Sequence, residues 1–349
     1  MSPSSDDDSA PESSAWYSAW QILATRIDLV TPWAIRAAAT LRLADLIADG
    51  ADGIEELSGR SGTDPDALSR LLRHLVSQGV FVEKQAGRFG INDVAALLLS
   101  DHPAGMKAML DLDGFGGRMD VAFTGLLHTV RTGEPAWETV FGSPFWEYLA
   151  DNENVASSFD AMMASGDDYI LDAVGGYDWS EAAHVVDVGG GTGAFLAEVL
   201  QAAPTARGTV VDLPATAARA REFLAMRALE DRCDVVGQSF FDPLPPGGDV
   251  YVVRRVVHDW SDVEATAILR RCAEAAGSAG RVVMIESRGI AGDDPAMFAE
   301  MNLRMMVLAG GRERSVDDYA ALAAAAGLRV DTTRTTPLGH IVFDCTSAS

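Results

Sequence analysis

From Tyr177 onward short apolar runs alternate with helix-length segments, and no other feature restricts the fold of this chain so strongly. "HVVDVGGGTG" reads as a strand and glycine turn, "AFLAEVLQAAP" as a helix and "RGTVVDLP" as a strand. "ATAARAREFLAMRALEDRC" is then a helix, "DVVGQSFF" a strand, "DVYVVRRVVHDW" a strand, "DVEATAILRRCAEAAG" a helix and "GRVVMIES" a strand. Such alternation predicts an α/β fold with a parallel, doubly wound sheet, whose ligands bind beyond the carboxyl ends of the strands. His258, Asp212, Glu286 and the glycine turn all fall at such ends.

In "DVGGGTGAF", Gly189, Gly191 and Gly193 lie between a buried strand and a helix, where glycine permits a tight turn and close approach of a ligand. Asp212, at the end of the next strand, is placed to accept hydrogen bonds from a ribose diol. Gly189-x-Gly191-x-x-Ala194 also satisfies the dinucleotide fingerprint, so an NAD-dependent oxidoreductase stays open on this motif alone. Asp187 stands against it, because a carboxylate there points into the place a pyrophosphate needs. A ligand with a nucleoside and a cationic centre, such as S-adenosylmethionine, tolerates that carboxylate better.

The first half of the chain is helical in pattern. "TPWAIRAAATLRLADLIADG" opens it, with Pro32 suited to a first turn and Gly50 to a stop. Two short helices, the second capped by Asp64, and a hairpin in "VFVEKQAGRFGI" follow, the pattern of a winged helix. DNA binding is one meaning of that pattern and dimerisation the other. The chain carries 51 Asp and Glu against 27 Lys and Arg, which repels phosphate backbones and anionic lipid and favours dimerisation. No apolar stretch approaches the roughly 18 residues of a membrane span. Cys233, Cys272 and Cys345 form no CxxC pair, so no disulfide framework is expected, in keeping with a reducing cytosol. From Pro103 to about Asp172 a second helical stretch is rich in aromatic residues and Met. Phe145, Trp146, Phe159, Met162 and Met163 are candidates there to line a pocket for a flat apolar molecule, although core packing explains the same spacing.

"DVGGGTG", "VVDLP", "RRVVHDWSD" and "LAGGRERS", in that order behind a helical half, resemble the S-adenosylmethionine-dependent small-molecule O-methyltransferases of plant phenolic and bacterial antibiotic pathways. The segments "LVTPWAIRAAATLRLADLIADGAD", "AFTGLLHTVRTGEPAWETVFGSPFWEYLA" and "YDWSEAAHVVDVGGG" are most similar to anthracycline-tailoring methyltransferases and their hydroxylase relatives. The resemblance implies a Rossmann-like class I methyltransferase domain with a mostly parallel seven-stranded sheet, behind a winged-helix-like dimerisation domain. It implies a polycyclic aromatic acceptor of anthraquinone type. It places the cofactor's methionine portion along Asp187, Gly189, Gly191 and Gly193, its ribose on Asp212 beside Leu213, and its adenine between Phe240 and Phe241. Arg254 corresponds to a basic residue near the cofactor, able to hold its carboxylate. Ser239 replaces the aspartate that relatives place before the apolar pair, which puts the contact to the adenine amino group in doubt.

The same resemblance makes His258 the general base, with Glu286 and Glu313 around its imidazole. A phenol of pKa about 10 is mostly protonated at neutral pH, and a base near 6.5 removes its proton as attack proceeds. The plainer reading of His258 is a core-edge histidine beside Asp259. Anthracycline members often carry an apolar or amide pair where this chain has His258 and Asp259, so the histidine favours O-methylation over hydroxylation. His74, His102, His128, His184 and His340 have no acid-base constellation in the sequence and read as structural. No metal is expected, since His258, Asp259 and Asp262 lack ligand spacing. The helix in "EMNLRMMVLAGGRERS" places Met301, Asn302 and Met305 where relatives face the acceptor, and Asp259 adjoins them.

The expected organisation is a disordered tail over 1–15, a helical dimerisation domain over 16–102, a helical linker and acceptor-pocket segment over 103–175, and a Rossmann-like cofactor-binding domain over 176–349. A cytoplasmic homodimer joined through the N-terminal helical domain is expected, with no nucleic acid or membrane partner. The competing readings are the NAD enzyme, a methyltransferase-like hydroxylase and a ligand-sensing transcription regulator.

Overall fold

The computed structural model describes residues 12–163, 167–287 and 295–348. The first eleven residues of the expected tail lie outside that range, and a helix, Glu12–Arg26, already includes residues 12–15. The chain divides into two units, Met1–Gly117 and Arg118–Ser349.

In the first unit, the segment read as one helix from Thr31 to Gly50 is two, Val30–Thr40 and Leu43–Ala48. Arg42 between them adopts φ 54°, a left-handed conformation that no continuous helix admits. Ile54–Ser61 and Pro65–Ser77 follow as expected, and the Asp64 carboxylate accepts from the Ala67 N–H at 2.9 Å to cap the second. Leu68, Leu72 and Leu75, at helical spacing, are buried with Leu43, Leu57, Phe81 and Phe89. Strands β1 (Phe81–Gln85) and β2 (Arg88–Ile91) pair antiparallel as the predicted hairpin.

The second unit holds a seven-stranded sheet built from β3 (His184–Val188), β4 (Arg207–Asp212), β5 (Cys233–Gly237), β6 (Val250–Arg254), β7 (Arg281–Ser287), β8 (Leu328–Thr335) and β9 (His340–Ser347). Their order is β5-β4-β3-β6-β7-β9-β8, parallel except for β9, which runs antiparallel to both β7 and β8. Helices cover both faces, and this is why the strands read as continuous apolar runs. Val185, Val252, Ile285 and Val342 pack on one face with Phe195 and Leu196. Val186, Val253, Met284 and Phe343 pack on the other with Leu269 and Tyr319. Order reverses at β3, where β4 and β6 flank it, so the glycine turn stands at the switch point.

One expectation about this sheet is corrected. The strand read as continuing to His258 stops at Arg254, Arg255 follows with φ 52°, and Val257–Asp259 forms a 3₁₀ turn. The valines of "VVRRVV" continue the apolar pattern although the backbone has already left the sheet. No helix among the described residues is long and apolar enough to cross a membrane.

Leu269 is fully buried on helix Asp262–Ala276, whereas Val263 on the same helix is 81% exposed. Leu269→Ala is expected to cost about 2–5 kcal/mol and Val263→Ala about 0.5 kcal/mol or less, measured by the shift in urea unfolding. Equal shifts would contradict the assignment of that helix face to the core.

Candidate active site

The glycine turn takes the conformation its composition permits. Gly189, Gly191 and Gly193 have φ of 72°, 58° and 82°, and Gly193 caps helix Ala194–Ala202. A Cβ on Gly189 would lie 2.7 Å from Val256, whereas nothing stands within 4 Å of one on Gly191. Gly189 is therefore required by packing, and the space outside Gly191 is open to a ligand. Asp212 holds the turn in place, because its Oδ2 accepts from the Gly191 N–H at 2.9 Å and its Oδ1 from the Leu213 N–H at 2.7 Å. Burial pushes this carboxyl up to about 6, against the two peptide hydrogen bonds. Each oxygen retains a lone pair for a diol.

Asp187 is buried at the end of β3, with Oδ2 lacking any hydrogen-bond partner. Burial drives its carboxyl up to about 7, opposed by the Arg254 guanidinium and reinforced by Asp212. Arg254 Nε is also unpartnered, and the guanidinium lies 5.3 Å from the Phe195 ring centroid. Burial, then Arg255, lowers its pKa to about 10, against the pull of Asp187. A buried carboxylate and a buried guanidinium, each with an unmet atom, suit the ammonium and carboxylate of an amino-acid moiety. A diphosphate would meet Asp187 as a like charge. The residues present thus fit S-adenosylmethionine better than NAD.

Beyond β5 the Ser239 hydroxyl accepts from the Phe241 N–H at 3.2 Å and so closes the local turn. Phe240 and Phe241 meet Trp260 edge-on at 5.7 and 4.9 Å. Trp260 stacks on Trp146 at 5.9 Å with an interplanar angle of 13°, and Trp146 contacts Phe145 and Phe159 edge-on at 4.7 and 5.9 Å. The two expected aromatic groups therefore form one wall, joined by Trp260. Trp260 is not among the residues the sequence singles out, and its position straight after the His-Asp pair is the one signal for it. Met162 and Met163 end helix Glu153–Met163 half-buried, and Met301 and Met305 are half-buried on helix Pro295–Leu308. Asn302 Oδ1 accepts from the Glu313 N–H at 3.1 Å, so this side chain holds the loop that carries Glu313.

His258 sits in the 3₁₀ turn, 5% exposed, with Nδ1 3.1 Å from Glu313 Oε1 and Nε2 3.4 Å from Asp259 Oδ1. A neutral imidazole donating from Nδ1 to Glu313 presents Nε2 as the base. Glu286 does not bond the ring, since its Oε1 accepts from the Val257 N–H at 2.9 Å. Burial alone would lower the His258 pKa, but Asp259, Glu313 and Glu286 outweigh it and raise it to about 9. Burial pushes Glu286 up to about 7 despite the attraction of His258.

A strap absent from the sequence prediction fixes this turn from the other side. Arg314, with its side chain fully buried, donates to Val257 O at 2.9 Å, Trp260 O at 2.7 Å and Asp262 Oδ1 at 2.8 Å. The Arg312 N–H donates to His258 O at 2.8 Å, and a Cβ on Gly311 would lie 2.2 Å from that same oxygen. His340 also departs from expectation. The sequence offers it no acid-base partner, yet Nδ1 lies 2.9 Å from Asp172 Oδ2, a pairing that a separation of 168 positions conceals.

A parallel sheet with a glycine turn at its switch point is the architecture of the nucleotide-binding α/β proteins. The chain belongs to the O-methyltransferases: it matches an O-methyltransferase domain over residues 123–329 and an O-methyltransferase dimerisation domain over 27–101. It is 45% identical to the 2,7-dihydroxy-5-methyl-1-naphthoate 7-O-methyltransferase of Streptomyces carzinostaticus, over 87% of this chain and 91% of that one. It is 43% identical to the aclacinomycin 10-hydroxylase RdmB of Streptomyces purpurascens, over 91% and 86%. The crystal structure of the neocarzinostatin O-methyltransferase NcsB1, in complex with S-adenosyl-L-homocysteine and 1,4-dihydroxy-2-naphthoic acid, superposes with a TM-score of 0.87 at 42% identity. The match covers 93% of this chain and 98% of that one.

Asp187, Asp212 and Glu286 hold their protons up to about 7, 6 and 7 in the folded chain, so from about pH 4 upward the native state binds more protons than the unfolded one. His258 acts in the same direction between about 6.5 and about 9. Stability is therefore lost as pH rises. The melting temperature of ligand-free protein is expected to fall from pH 6 to pH 9, less steeply in Glu286→Gln. A rising midpoint over that range would contradict the burial of these groups.

Proposed function

We propose that this chain is a cytosolic, homodimeric S-adenosylmethionine-dependent O-methyltransferase acting on a phenolic hydroxyl of a polycyclic aromatic acceptor, of anthraquinone or naphthoate type. The observation that carries the reading is His258, oriented by Glu313 and set beside one continuous aromatic wall. Asp212 accepts from the ribose of the donor, Asp187 and Arg254 meet its amino-acid end along the glycine turn, and Phe240 and Phe241 flank its adenine. Trp146, Phe145, Phe159, Met162, Met163, Met301 and Met305 contact the flat acceptor. The donor supplies an activated methyl group: the O–C bond forms as the C–S bond breaks, and a neutral thioether leaves.

His258 Nε2 takes the phenolic proton, and Glu313 stabilises the imidazolium that results. A conjugate acid near 9 is close to a phenol of pKa about 10, so transfer between them is nearly isoenergetic. Asp259 stands at the same nitrogen and must yield to the acceptor hydroxyl. The aromatic wall excludes water, and holding oxygen and methyl carbon in line supplies about 7–11 kcal/mol of the barrier reduction.

Dimerisation is assigned to the N-terminal unit and its winged-helix-like hairpin. The match to a dimerisation domain supports it, as do Trp16 and Trp20, 63% and 55% exposed on helix Glu12–Arg26. The hydroxylase reading draws on RdmB. His258 with its acidic partners favours methylation, because hydroxylation has no use for a base at a phenol oxygen.

Isothermal titration with S-adenosylhomocysteine is expected to give a Kd on the order of micromolar that Asp212→Ala abolishes, with no heat from NAD. Heat from NAD alone would restore the oxidoreductase reading. With a phenolic polycycle as acceptor, kcat/KM is expected to rise with pH toward about 9 as His258 loses its proton. His258→Ala should lower kcat/KM about 10²–10⁴-fold and flatten that rise. A variant keeping both rate and profile would assign catalysis to proximity alone.

A further inference from the structure

Asp160 is a buried carboxylate on helix Glu153–Met163, and its Oδ2 accepts from the Nε of Arg219 on helix Pro214–Met226, 59 positions further along the chain. The guanidinium is fixed from its own helix as well, because a terminal nitrogen donates to the Thr216 hydroxyl at 3.2 Å. Burial raises the Asp160 carboxyl, against the hydrogen bond and charge of Arg219. An interior ion pair costs desolvation, and well-packed apolar side chains of the same volume stabilise a fold as well or better. What the pair adds is direction, since a guanidinium and a carboxylate meet in few geometries whereas apolar contact is non-directional.

Each partner stands on a helix that serves one of the two ligands. Phe159 adjoins Asp160, and Met162 and Met163 lie within one turn of it. Phe159 meets both Phe145 and Trp146 edge-on at 5.9 Å, so this helix enters the aromatic wall. Helix Pro214–Met226 starts directly after Leu213, whose N–H donates to Asp212 Oδ1 at 2.7 Å, and its Ala220 and Leu224 pack with Val210 of β4. A shift of that helix therefore carries Asp212 with it. Beyond burial and its two peptide hydrogen bonds, the Asp212 carboxyl is pushed up by Asp160 and down by Arg219, so both charges are within electrostatic reach of the ribose seat.

We propose that Asp160 and Arg219 are positioning residues for the methyl transfer: their ion pair ties the helix that lines the acceptor to the segment that seats the donor's ribose, and so sets the distance between oxygen and methyl carbon. The proposal rests on the methyl-donor reading above. The pair acts at one remove, through Phe159, Met162 and Met163 on one side and Asp212 on the other. In-line displacement tolerates little error in that distance, and a misplacement of about 1 Å costs about a hundredfold in rate.

The test compares wild type with Asp160→Leu/Arg219→Met, which removes both charges and leaves neither buried alone, and with Arg219→Lys, which keeps a cation beside Asp160. Each is titrated with S-adenosylhomocysteine and assayed with S-adenosylmethionine on a panel of hydroxynaphthoic acids and hydroxyanthraquinones. In the double variant kcat is expected to fall about tenfold, with the Kd for S-adenosylhomocysteine within about threefold of wild type, because the opposed effects on Asp212 are removed together. Arg219→Lys is expected to recover most of that kcat. Asp160→Asn, uncharged and of the same shape, is expected to lose about threefold and decides alone should the double variant not fold. A wild-type kcat in these variants overturns the proposal, and so does a fall in kcat matched by an equal loss of affinity for S-adenosylhomocysteine, which confines the pair to the donor site. Wild-type protein that binds no S-adenosylhomocysteine overturns the methyl-donor reading and this proposal with it. Wild-type protein that binds it yet methylates no member of the panel overturns the acceptor class, and the proposal falls with that.

Discussion

The position of His258 depends on hydrogen bonds made by its neighbours in the chain. The Val257 N–H reaches Glu286 on β7, and the Val257 and Trp260 carbonyls are held by Arg314. A short turn beyond a strand end has few internal bonds of its own, so unpinned it would sample several geometries and carry the imidazole with it. Glu286 beneath and Arg314 above leave it one. Both pins are buried charged groups hydrogen-bonded to peptide groups, and such bonds are stronger than neutral ones in a low-dielectric setting.

The same turn fixes the aromatic wall. Trp260 follows the 3₁₀ turn, and its stacking on Trp146 joins the helical segment near residue 146 to the Phe240–Phe241 pair after β5. Displacement of the turn would therefore move the base and the wall together. The Phe240–Phe241 pair and the Trp146 cluster share Trp260 as their common member, so both register against one side chain.

What the sequence made legible and what it concealed divide along one physical line. The glycine turn, the Asp64 cap and the alternation of elements are local, each following from residues within a few positions of one another, and Asp212 is legible because it ends the strand that comes next after the turn. His258 and Glu313 are legible only through the motif resemblance. Arg314's bonds, the stacking of Trp260 on Trp146 and the pairing of His340 with Asp172 depend on which elements become neighbours. Placing β9 antiparallel between β7 and β8 brings His340 beside Ser287, and no periodicity in the chain encodes that register. The error at Arg254 has the same origin, since an apolar pattern records burial and the valines after the strand are as buried as those within it.

The sheet also separates the charges that the reaction brings close. Glu286, Glu313 and His258 lie toward the face packed by Tyr319 and Leu269, whereas Arg254, Tyr169 and His340 lie toward the face packed by Phe195. The separation is one of position and not of field: Asp187 shares the arginine face and holds the Arg254 pKa up against burial, while Arg255 opposes the rise of the Asp259 carboxyl. Strand alternation of period two places Asp187, Arg254 and His340 with one core and Glu286 with the other.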